Sequence, residues 1–298
     1  MADLLSTGRA PRARLRELLS AGPPLVAPGA YDALSARLIE HAGFDVVYMT
    51  GFGTTASLIG RPDVGLLSGA EMVDNARRIV AAVDVPVIAD ADTGYGNAIN
   101  VVRTVKLYEQ AGVAGIQLED QVMPKKCGHM SGKALIGTDE MVGKLQAAVA
   151  ARTDPDLVII ARTDAVAVEG LDEALSRARA FAEAGADVLF VEAPTSEEDI
   201  ARVAKELSGV APLVFNWAEG GRTPPLSLER IAELGFSLVI YPIGTLLAAT
   251  AGMRALLSTL QADGTPTAAL PGLPTFDEFT DLIGLPEVQR LERRFSGS

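Results

Sequence analysis

One stretch of the chain, residues 115–133, concentrates side chains that can do chemistry. It begins as an apolar, strand-like run, Gly115 to Leu118, and turns polar at Glu119-Asp120-Gln121. After Pro124 come two lysines, the single cysteine of the chain, a glycine and one of its two histidines. The pattern predicts a buried strand that brings carboxylates to the rim of a sheet, and a loop that lies over that rim.

The loop carries Cys127 next to Lys126 and two residues before His129. Cys127 and His129 provide too few soft ligands for a zinc site by themselves. A buried lone cysteine is most often inert packing, but positive charge nearby lowers the pKa of a thiol. With Lys125, Lys126 and His129 around it, Cys127 is a candidate nucleophile or proton donor. The other histidine, His41, stands at a predicted helix end and is interpreted as a surface residue.

Nearly every predicted strand ends in a polar or ionisable residue. After the second strand, the small-residue segment with Thr50, Gly51 and Gly53 is expected to be a loop that offers backbone N–H groups to an anion. The other strand ends carry, in chain order, Asp90 and Asp92, Glu119, Arg162, Glu192, Asn216 and Pro242. Each one alone could be a helix cap or a solvated residue, but their recurrence from strand to strand indicates a functional site.

Asp90 and Asp92 stand two apart at a predicted strand end, so their side chains are expected to point the same way. Together with Glu119 they form an oxygen-rich set of hard ligands, which favours Mg²⁺, or Mn²⁺, over zinc. Asp63 could add a contact to the metal through water. The alternative is that Asp92 caps the following helix, although Asn97 lies closer to the helix start.

The elements that position these residues alternate along the chain, short apolar runs with segments of helical periodicity. The apolar runs are continuous, as in parallel strands buried on both faces, and lie at 25–27, 46–49, 85–89, 115–118, 157–161, 188–191, 212–215 and 238–241. The helical segments include 32–42, 69–83, 98–111, 138–152, 171–184, 196–208 and 227–234. This α/β pattern predicts a (β/α)₈ TIM-type barrel. A doubly wound open sheet is the alternative, but its Gly-x-Gly-x-x-Gly turn is absent after the first strand.

We expect residues 1–298 to form a single barrel domain, with 264–298 as a C-terminal helical extension. A Gly- and Pro-containing linker precedes two segments, 276–283 and 287–295, that are typical of short amphipathic helices. Because they follow the last predicted barrel strand, we expect them to pack against a neighbouring subunit.

Composition narrows the classes of function. The chain has 298 residues, of which 48% are hydrophobic, and a net charge of −12. This charge argues against a nucleic-acid partner and against a polybasic membrane anchor. No apolar run approaches the roughly 18 residues of a membrane span, and the N-terminus has no apolar secretion signal. Since a lone cysteine also suits a reducing compartment, we expect a cytoplasmic protein that binds neither nucleic acid nor membrane.

The motifs together resemble the isocitrate lyase/phosphoenolpyruvate mutase superfamily. Lys125-Lys-Cys-Gly-His129 matches its signature, while Asp90-Ala-Asp-Thr-Gly-Tyr-Gly96 and Leu118-Glu-Asp-Gln121 match its metal-binding segments. The resemblance extends over the barrel from about Pro28 to Pro242. It implies a Mg²⁺-dependent enzyme, usually a homotetramer of paired subunits that exchange C-terminal helices.

Within the superfamily, Cys127 favours the carbon–carbon lyases, in which the cysteine protonates the departing carbanion. The chain lacks the insertion of the longer isocitrate lyases, and Lys126 replaces an arginine common in methylisocitrate lyases. The segment 216–224 looks more like the branch of dimethylmalate lyase, oxaloacetate hydrolase and carboxyvinyl-carboxyphosphonate phosphorylmutase.

The resemblance implies cleavage of a 2-hydroxy di- or tricarboxylate, such as 2-methylisocitrate or a 2,3-dialkylmalate, to a 2-oxo acid and a second carboxylate. The alternatives are phosphorylmutase-type P–C bond chemistry, an oxaloacetate hydrolase or decarboxylase, and a catalytically silent barrel with a binding role.

The resemblance also implies roles for the candidate residues. Cys127 is expected to supply the proton, Lys126 and His129 to hold charge nearby, Arg162 to neutralise a carboxylate, and Tyr48 to be the initial base. Expected contacts to the substrate come from Thr50, Gly51, Gly53, Gly128, Glu192, Asn216, Thr223 and Pro242, and loop hinges from Gly128 and Gly132. The substituents of the substrate are expected to be read near Trp217, Tyr241, Pro242 and Leu246.

Overall fold

Eight parallel strands form the centre of the fold in a computed structural model that describes residue 5, residues 11–128 and residues 130–296. The strands pair in chain order, and the last closes on the first, so the sheet is a closed barrel. They are β1 (Leu25–Ala30), β2 (Val47–Met49), β3 (Val87–Asp90), β4 (Gly115–Glu119), β5 (Val158–Thr163), β6 (Val188–Val191), β7 (Leu213–Asn216) and β8 (Leu238–Tyr241). The prediction of a (β/α)₈ barrel is confirmed, and the open sheet is excluded.

The inner face of the barrel explains why polar residues at the strand ends lie together. Its buried cluster includes Tyr48, Ile88, Ile160 and Phe190, and Leu15 from the N-terminal helix belongs to the same cluster. Side chains two residues apart on a strand point to the same face. The residue two positions after each of these four strand residues therefore also faces inward, at the C-terminal end of the barrel. Those residues are Thr50, Asp90, Arg162 and Glu192.

Helices surround the barrel. They are α1 (Pro11–Ser20), α2 (Ala33–His41), α3 (Gly51–Ile59), α4 (Gly69–Val80), α5 (Ala98–Ala111), α6 (Thr138–Ala151), α7 (Leu171–Glu183), α8 (Glu197–Leu207), α9 (Leu228–Leu234), α10 (Gly244–Asp263), α11 (Phe276–Leu282) and α12 (Leu285–Phe295). Local sequence sets their ends. Asn97 caps α5 by accepting the N–H groups of Ile99 and Asn100, so capping is the role of Asn97 and not of Asp92. His41 is the last residue of α2 and is exposed, as expected.

The segment after β2 was expected to be a small-residue loop, and this prediction was wrong. Helix α3 begins at Gly51, with Thr50 as its N-cap and the Thr50 side chain accepting the N–H of Gly53 at 3.2 Å. Tertiary packing overrides the low helix propensity of this glycine- and threonine-rich segment. Gly51 is required here for close approach, because a Cβ atom would lie 2.6 Å from Asp90 Oδ2.

The C-terminal helices contrast with the rest of the fold. Helices α11 and α12 confirm the two predicted amphipathic segments, whereas α10 was not predicted. Helix α10 has no buried residue, although it carries Leu247, Met253 and Leu257, and Phe276 at the start of α11 is 81% exposed. None of the described helices is long and apolar enough to cross a membrane. The assignment of residues 1–298 to one domain with a 264–298 extension stays a prediction.

Candidate active site

A cavity of about 230 Å³ lies at the C-terminal ends of the strands. The predicted site residues that it brings together are Tyr48, Thr50, Asp63, Asp90, Glu119, Lys126, Cys127, Gly128, Arg162, Glu192, Asn216 and Pro242. Gly51, Gly53 and Asp92 do not line the cavity. Thr223 does not line it either, but lies in a smaller pocket beside Asn216. His129, a predicted catalytic residue, lies outside the described residues.

The apolar wall of the cavity, which could contact the substituents of the substrate, differs from the prediction. The apolar lining consists of Phe52, Met130, Ala218, Ile240, Pro242 and Ile243. Of the four residues expected there, only Pro242 takes part. Trp217 instead stacks on Tyr241, with ring centroids 5.6 Å apart, and donates its indole N–H to the Leu226 carbonyl.

Arg162, at the end of β5, is the central cation of the site. Its Nε and Nη2 donate to the two carboxylate oxygens of Asp164 at 2.9 and 3.0 Å. The guanidinium also lies 3.4 Å from Glu119 and 3.7 Å from Glu192, and 5.1 Å from the centre of the Phe190 ring. A bidentate pair of this kind fixes the plane of the guanidinium. Arg162 is therefore held in one orientation before any substrate binds.

Asp164 had no predicted role, yet it is part of the site's support. Its backbone N–H donates to Asp120 Oδ1 at 2.9 Å, and the Thr163 hydroxyl donates to Asp120 Oδ2 at 2.7 Å. Burial alone would raise the pKa of Asp164, but the charges of Arg162 and Lys133 outweigh burial and lower this pKa to about 2. The only sequence signal was an acid two residues after Arg162, on the same face of the strand.

Lys125 lies between two buried acids rather than beside the thiol. Its Nζ is 2.6 Å from Asp63 Oδ2 and 2.6 Å from Asp92 Oδ1. Burial opposes the charge on Lys125, but Asp92 and Asp63 raise its pKa well above the ordinary value. Asp63 is thus paired with a lysine, which does not support its predicted contact to a metal through water.

Asp90 and Asp92 are close, but not for the predicted reason. Strand β3 ends at Asp90, and Asp92 has a left-handed backbone with φ of 48°. The Asp92 N–H donates to Asp90 Oδ1 at 3.0 Å, and oxygens of both carboxylates face Gly51. Burial, followed by the charge of Asp92, raises the pKa of Asp90 to about 6. Burial likewise raises the pKa of Glu119 well above its usual range.

Of the predicted metal ligands, Asp90 and Glu119 line the cavity, and Asp92 is adjacent to Asp90. Across residues 11–128 and 130–296, no three His, Cys, Asp or Glu side chains already form a metal cluster. The donors nevertheless fit a hard divalent cation. Glu119 Oε1 and Asp92 Oδ1 are buried and make no hydrogen bond, although the latter has its ionic contact with Lys125. Mg²⁺ typically binds through one or two carboxylates, with water and substrate completing the shell.

The balance of buried negative and positive charges also supports a divalent cation at this site. Six buried acids surround three cations, Lys125, Lys133 and Arg162. The acids are Asp63, Asp90, Asp92, Glu119, Asp164 and Glu192. Buried carboxylates in excess are costly unless a cation compensates them, so a divalent ion suits this rim.

The loop that carries Cys127 is fastened over the cavity. At its base, Gln121 forms an isolated antiparallel β-bridge with Leu135. The Gln121 side chain accepts the N–H of Lys126 at 2.9 Å and donates to the Lys126 carbonyl at 2.8 Å. The Cys127 N–H donates to the Asp63 carbonyl at 3.2 Å. Gln121, which had no predicted role, thus holds the segment that presents the thiol.

Gly128 allows this loop to approach the floor of the site. A Cβ atom at Gly128 would lie 2.3 Å from Glu192 Oε1 and 2.4 Å from Arg162 Nη2. Any larger residue would push the loop away from these two groups. The backbone at Gly128 therefore lies directly against the charged floor of the cavity.

Two predicted catalytic roles, those of Lys126 and Tyr48, gain no direct support from the geometry. Lys126 lines the cavity, but its ammonium donates to the carbonyl of Gly132 in its own loop, at 2.7 Å. Tyr48 donates its hydroxyl to Gln117 Oε1 at 3.1 Å. Burial, followed by the charge of Asp90, raises the pKa of Tyr48 well above its ordinary value. A phenolate base at this position is unfavourable, so Tyr48 is better suited to be a neutral hydrogen-bond donor.

The fold and the cavity define a class: a (β/α)₈ barrel with acids, one fixed arginine and a cysteine loop at its C-terminal rim. Residues 15–261 match the family model described as phosphoenolpyruvate phosphomutase. The chain belongs to this family, within the phosphoenolpyruvate mutase/isocitrate lyase superfamily, and is an enzyme.

Three similar proteins are informative. The 2,3-dimethylmalate lyase of Eubacterium barkeri is 51% identical over 284 residues, which span 95% of this chain and 98% of the relative. A structure of oxaloacetate acetylhydrolase in complex with 3,3-difluorooxalacetate is 38% identical, with a TM-score of 0.91 over 97% of this chain and 98% of that one. A phosphonopyruvate hydrolase in complex with oxalate and Mg²⁺ is 34% identical, with a TM-score of 0.88 over 96% and 99%.

Proposed function

We propose that the enzyme is a carbon–carbon lyase that cleaves a 2-hydroxy di- or tricarboxylate, of the 2,3-dialkylmalate or 2-methylisocitrate type, to a 2-oxo acid and a second carboxylate. The observation that carries the proposal is the position of Cys127, on a loop fastened over the same cavity as Arg162 and the acids. The 51% identity to a 2,3-dimethylmalate lyase over nearly the full length of both chains supports the choice of reaction.

The cofactor that we propose is Mg²⁺, with Mn²⁺ as an alternative. Asp90 and Glu119 line the cavity and would hold the ion, with Asp92 adjacent to them. The complex of a similar hydrolase with oxalate and Mg²⁺ supports a divalent metal beside a small carboxylate. When bound, the ion acts as a Lewis acid toward the oxygen that becomes the oxo group.

Arg162, Thr50 and Asn216 would bind and orient the substrate. Arg162 is already fixed by Asp164, so a substrate carboxylate would meet an oriented guanidinium. Thr50 lies at the N-terminus of α3, where the helix dipole favours an anion. Asn216 donates to Glu192 at 3.2 and 3.3 Å, which fixes both side chains where they would meet the second carboxylate.

Cys127 would complete the reaction by a proton transfer. The bond between the carbinol carbon and its neighbour breaks, and the electron pair remains on the second fragment as an enolate. The Cys127 thiol gives its proton to that carbon. The substrate hydroxyl loses one proton to solvent, and the Cys127 thiolate takes one proton back from solvent after the products leave, so the cycle balances and no further reactant is needed. With substrate in the cavity, the backbone at Gly128 would help to shield the enolate from water, because it lies against Arg162 and Glu192.

Hydrolysis of a smaller oxo acid is the second candidate. It is favoured by the likeness to oxaloacetate acetylhydrolase, with a TM-score of 0.91. The same acids and Arg162 would bind the smaller acid, but water would have to enter beneath the loop. The cover that Gly128 provides over Arg162 and Glu192 makes the lyase reaction the better match.

A substrate panel tests the proposal. The enzyme is assayed with Mg²⁺ for release of a 2-oxo acid from 2,3-dimethylmalate, 2-methylisocitrate and isocitrate, and for oxaloacetate hydrolysis. We expect turnover of one dialkylmalate or alkylisocitrate, loss of at least 99% of this turnover in EDTA, and its return when Mg²⁺ is added. Turnover of oxaloacetate alone would contradict the lyase. Absence of turnover with all four acids would overturn both candidates and favour P–C bond chemistry on a phosphonate.

We also propose that subunits assemble through the C-terminal helices into a homotetramer, a dimer of dimers. The exposed apolar side chains of α10 to α12 support this assembly, because such a surface is unfavourable in water. We expect a chain ended before residue 264 to sediment as a smaller species than the full chain. A truncated chain of unchanged oligomeric state would contradict the role of the extension.

We place the enzyme in the cytoplasm, where a reducing environment keeps the Cys127 thiol in the form that can give up a proton.

A further inference from the structure

The loop over the cavity is also held by a residue in its C-terminal part, Lys133. Lys133 Nζ donates to the carbonyl of Gly128 at 2.5 Å and to Asp164 Oδ1 at 2.8 Å. The side chain of Lys133 is only 2% exposed, and that of Asp164 is fully buried. An ammonium buried to this degree is stable only with its partners in place. Lys133 therefore joins the middle of the loop to the end of β5.

The carboxylate that Lys133 contacts is the same one that orients Arg162. Asp164 Oδ1 accepts from Lys133 at 2.8 Å and from Arg162 Nη2 at 3.0 Å, while its Oδ2 accepts from Arg162 Nε at 2.9 Å. One carboxylate thus lies between the loop that presents Cys127 and the arginine on the floor. Movement of the loop away from the rim would separate Lys133 from Asp164.

We propose that Lys133 is a positioning residue which, through Asp164, couples closure of the Cys127 loop to the orientation of Arg162. The proposal rests on the proposed function in so far as Cys127 and Arg162 carry out the chemistry. Lys133 itself touches neither substrate nor the reacting atoms. With the loop closed, its ammonium has two acceptors. With the loop open, the ammonium keeps the Gly128 carbonyl, which moves with it, but leaves Asp164, so that Asp164 loses one of its two cations.

Lys126 and Lys133 differ in the groups that their ammonium groups contact. Lys126 also lies on this loop, but among the described residues its ammonium bonds to the carbonyl of Gly132, within the loop. That bond moves with the loop and cannot fasten it to the barrel. Lys133 also bonds within the loop, to the Gly128 carbonyl, but its second bond reaches Asp164, which follows β5.

The test uses the rate at which iodoacetamide alkylates the thiol in the full-length enzyme without substrate. Cys127 is the only cysteine of the chain, so the signal has one source. We expect Lys133→Met to raise the alkylation rate at least about tenfold and to lower kcat by about 10²-fold with little change in KM. Lys133→Arg keeps a charged donor and should restore both values to within about threefold of wild type. If Lys133→Met does not fold, Lys133→Gln gives the same comparison.

A double-mutant cycle with Asp164→Asn separates coupling from simple loss of stability. We expect the double variant to alkylate no faster than the faster single variant, because both changes break one linkage. Lys106→Met, on the exposed face of α5, is the control and should alter neither rate. Effects that add fully in the cycle, or an unchanged alkylation rate in Lys133→Met, would overturn the proposal. Because alkylation needs no substrate, that result is independent of whether the lyase reaction itself is found.

Discussion

Replacing Cys127 with serine is expected to lower kcat for oxo-acid release by about 10²- to 10⁴-fold, the usual contribution of a positioned acid. Serine has nearly the same shape, and the backbone contacts of the loop to Asp63 and Gln121 do not involve the side chain. The hydroxyl, however, is a far weaker acid than the thiol and gives up its proton to the enolate carbon much more slowly. Binding should be preserved, so KM should change by less than about threefold.

The measurement is steady-state release of the 2-oxo acid from the best substrate of the panel, with saturating Mg²⁺. Ser131→Ala, an exposed change in the same loop, is the control and should alter kcat by no more than about twofold. Near-normal turnover by Cys127→Ser would remove the proton-donor role and leave Cys127 as a packing residue. A rise in KM with unchanged kcat would point instead to a role in binding alone.

Replacing Asp90 with asparagine is expected to abolish metal-dependent activity, with a loss of at least about 10⁴-fold. Asparagine preserves the acceptor oxygen that the N–H of Asp92 uses, so the local backbone should remain. The change removes the negative charge that a divalent ion needs at the centre of the rim. It also removes one of the crowded buried acids near Asp92 and Glu119.

Two measurements separate these effects. By calorimetry, Asp90→Asn should no longer take up Mg²⁺ at concentrations that saturate the wild type. In EDTA, the melting temperature of the variant should be no lower than that of the wild type, because a buried repulsion has been relieved. Adding Mg²⁺ should raise the melting temperature of the wild type only. Retained Mg²⁺ uptake by the variant would place the metal elsewhere, and a much lower melting temperature in EDTA would make Asp90 a structural residue.

Most of the fold could be predicted because its signals are local. Continuous apolar runs and helical periodicity identified the strands and most of the helices, and the positions directly after the strands indicated Asp90, Arg162 and Glu192 as site residues. Helix α3 was missed because its small residues have little helix propensity, and its position depends on the fit of Gly51 against Asp90. That fit is a tertiary contact, which a local pattern does not contain.

The support of the site could not be predicted for a related reason. Lys125, Lys133 and Asp164 stand in the sequence as ordinary charged residues next to more conspicuous ones. Their roles come from pairings across long sequence separations, such as Lys125 with Asp63 and Lys133 with Asp164. The same holds for the apolar wall, where Phe52 and Met130 replace the expected Trp217. A sequence motif shows which groups are present, but only the fold shows which of them meet.

The inward-facing rows of the barrel fall into two zones with different physical roles. On β3 and β5, Ile88 and Ile160 are packed on all sides, while Asp90 and Arg162 two residues later belong to the chemistry. Phe52 and Met130 lie outside these rows, on α3 and on the loop. A new substrate could therefore be accommodated by exchanging these two side chains, with neither the folding of the barrel nor its reaction disturbed. In protein engineering, these two positions are the place to begin a library for altered alkyl substituents on the substrate.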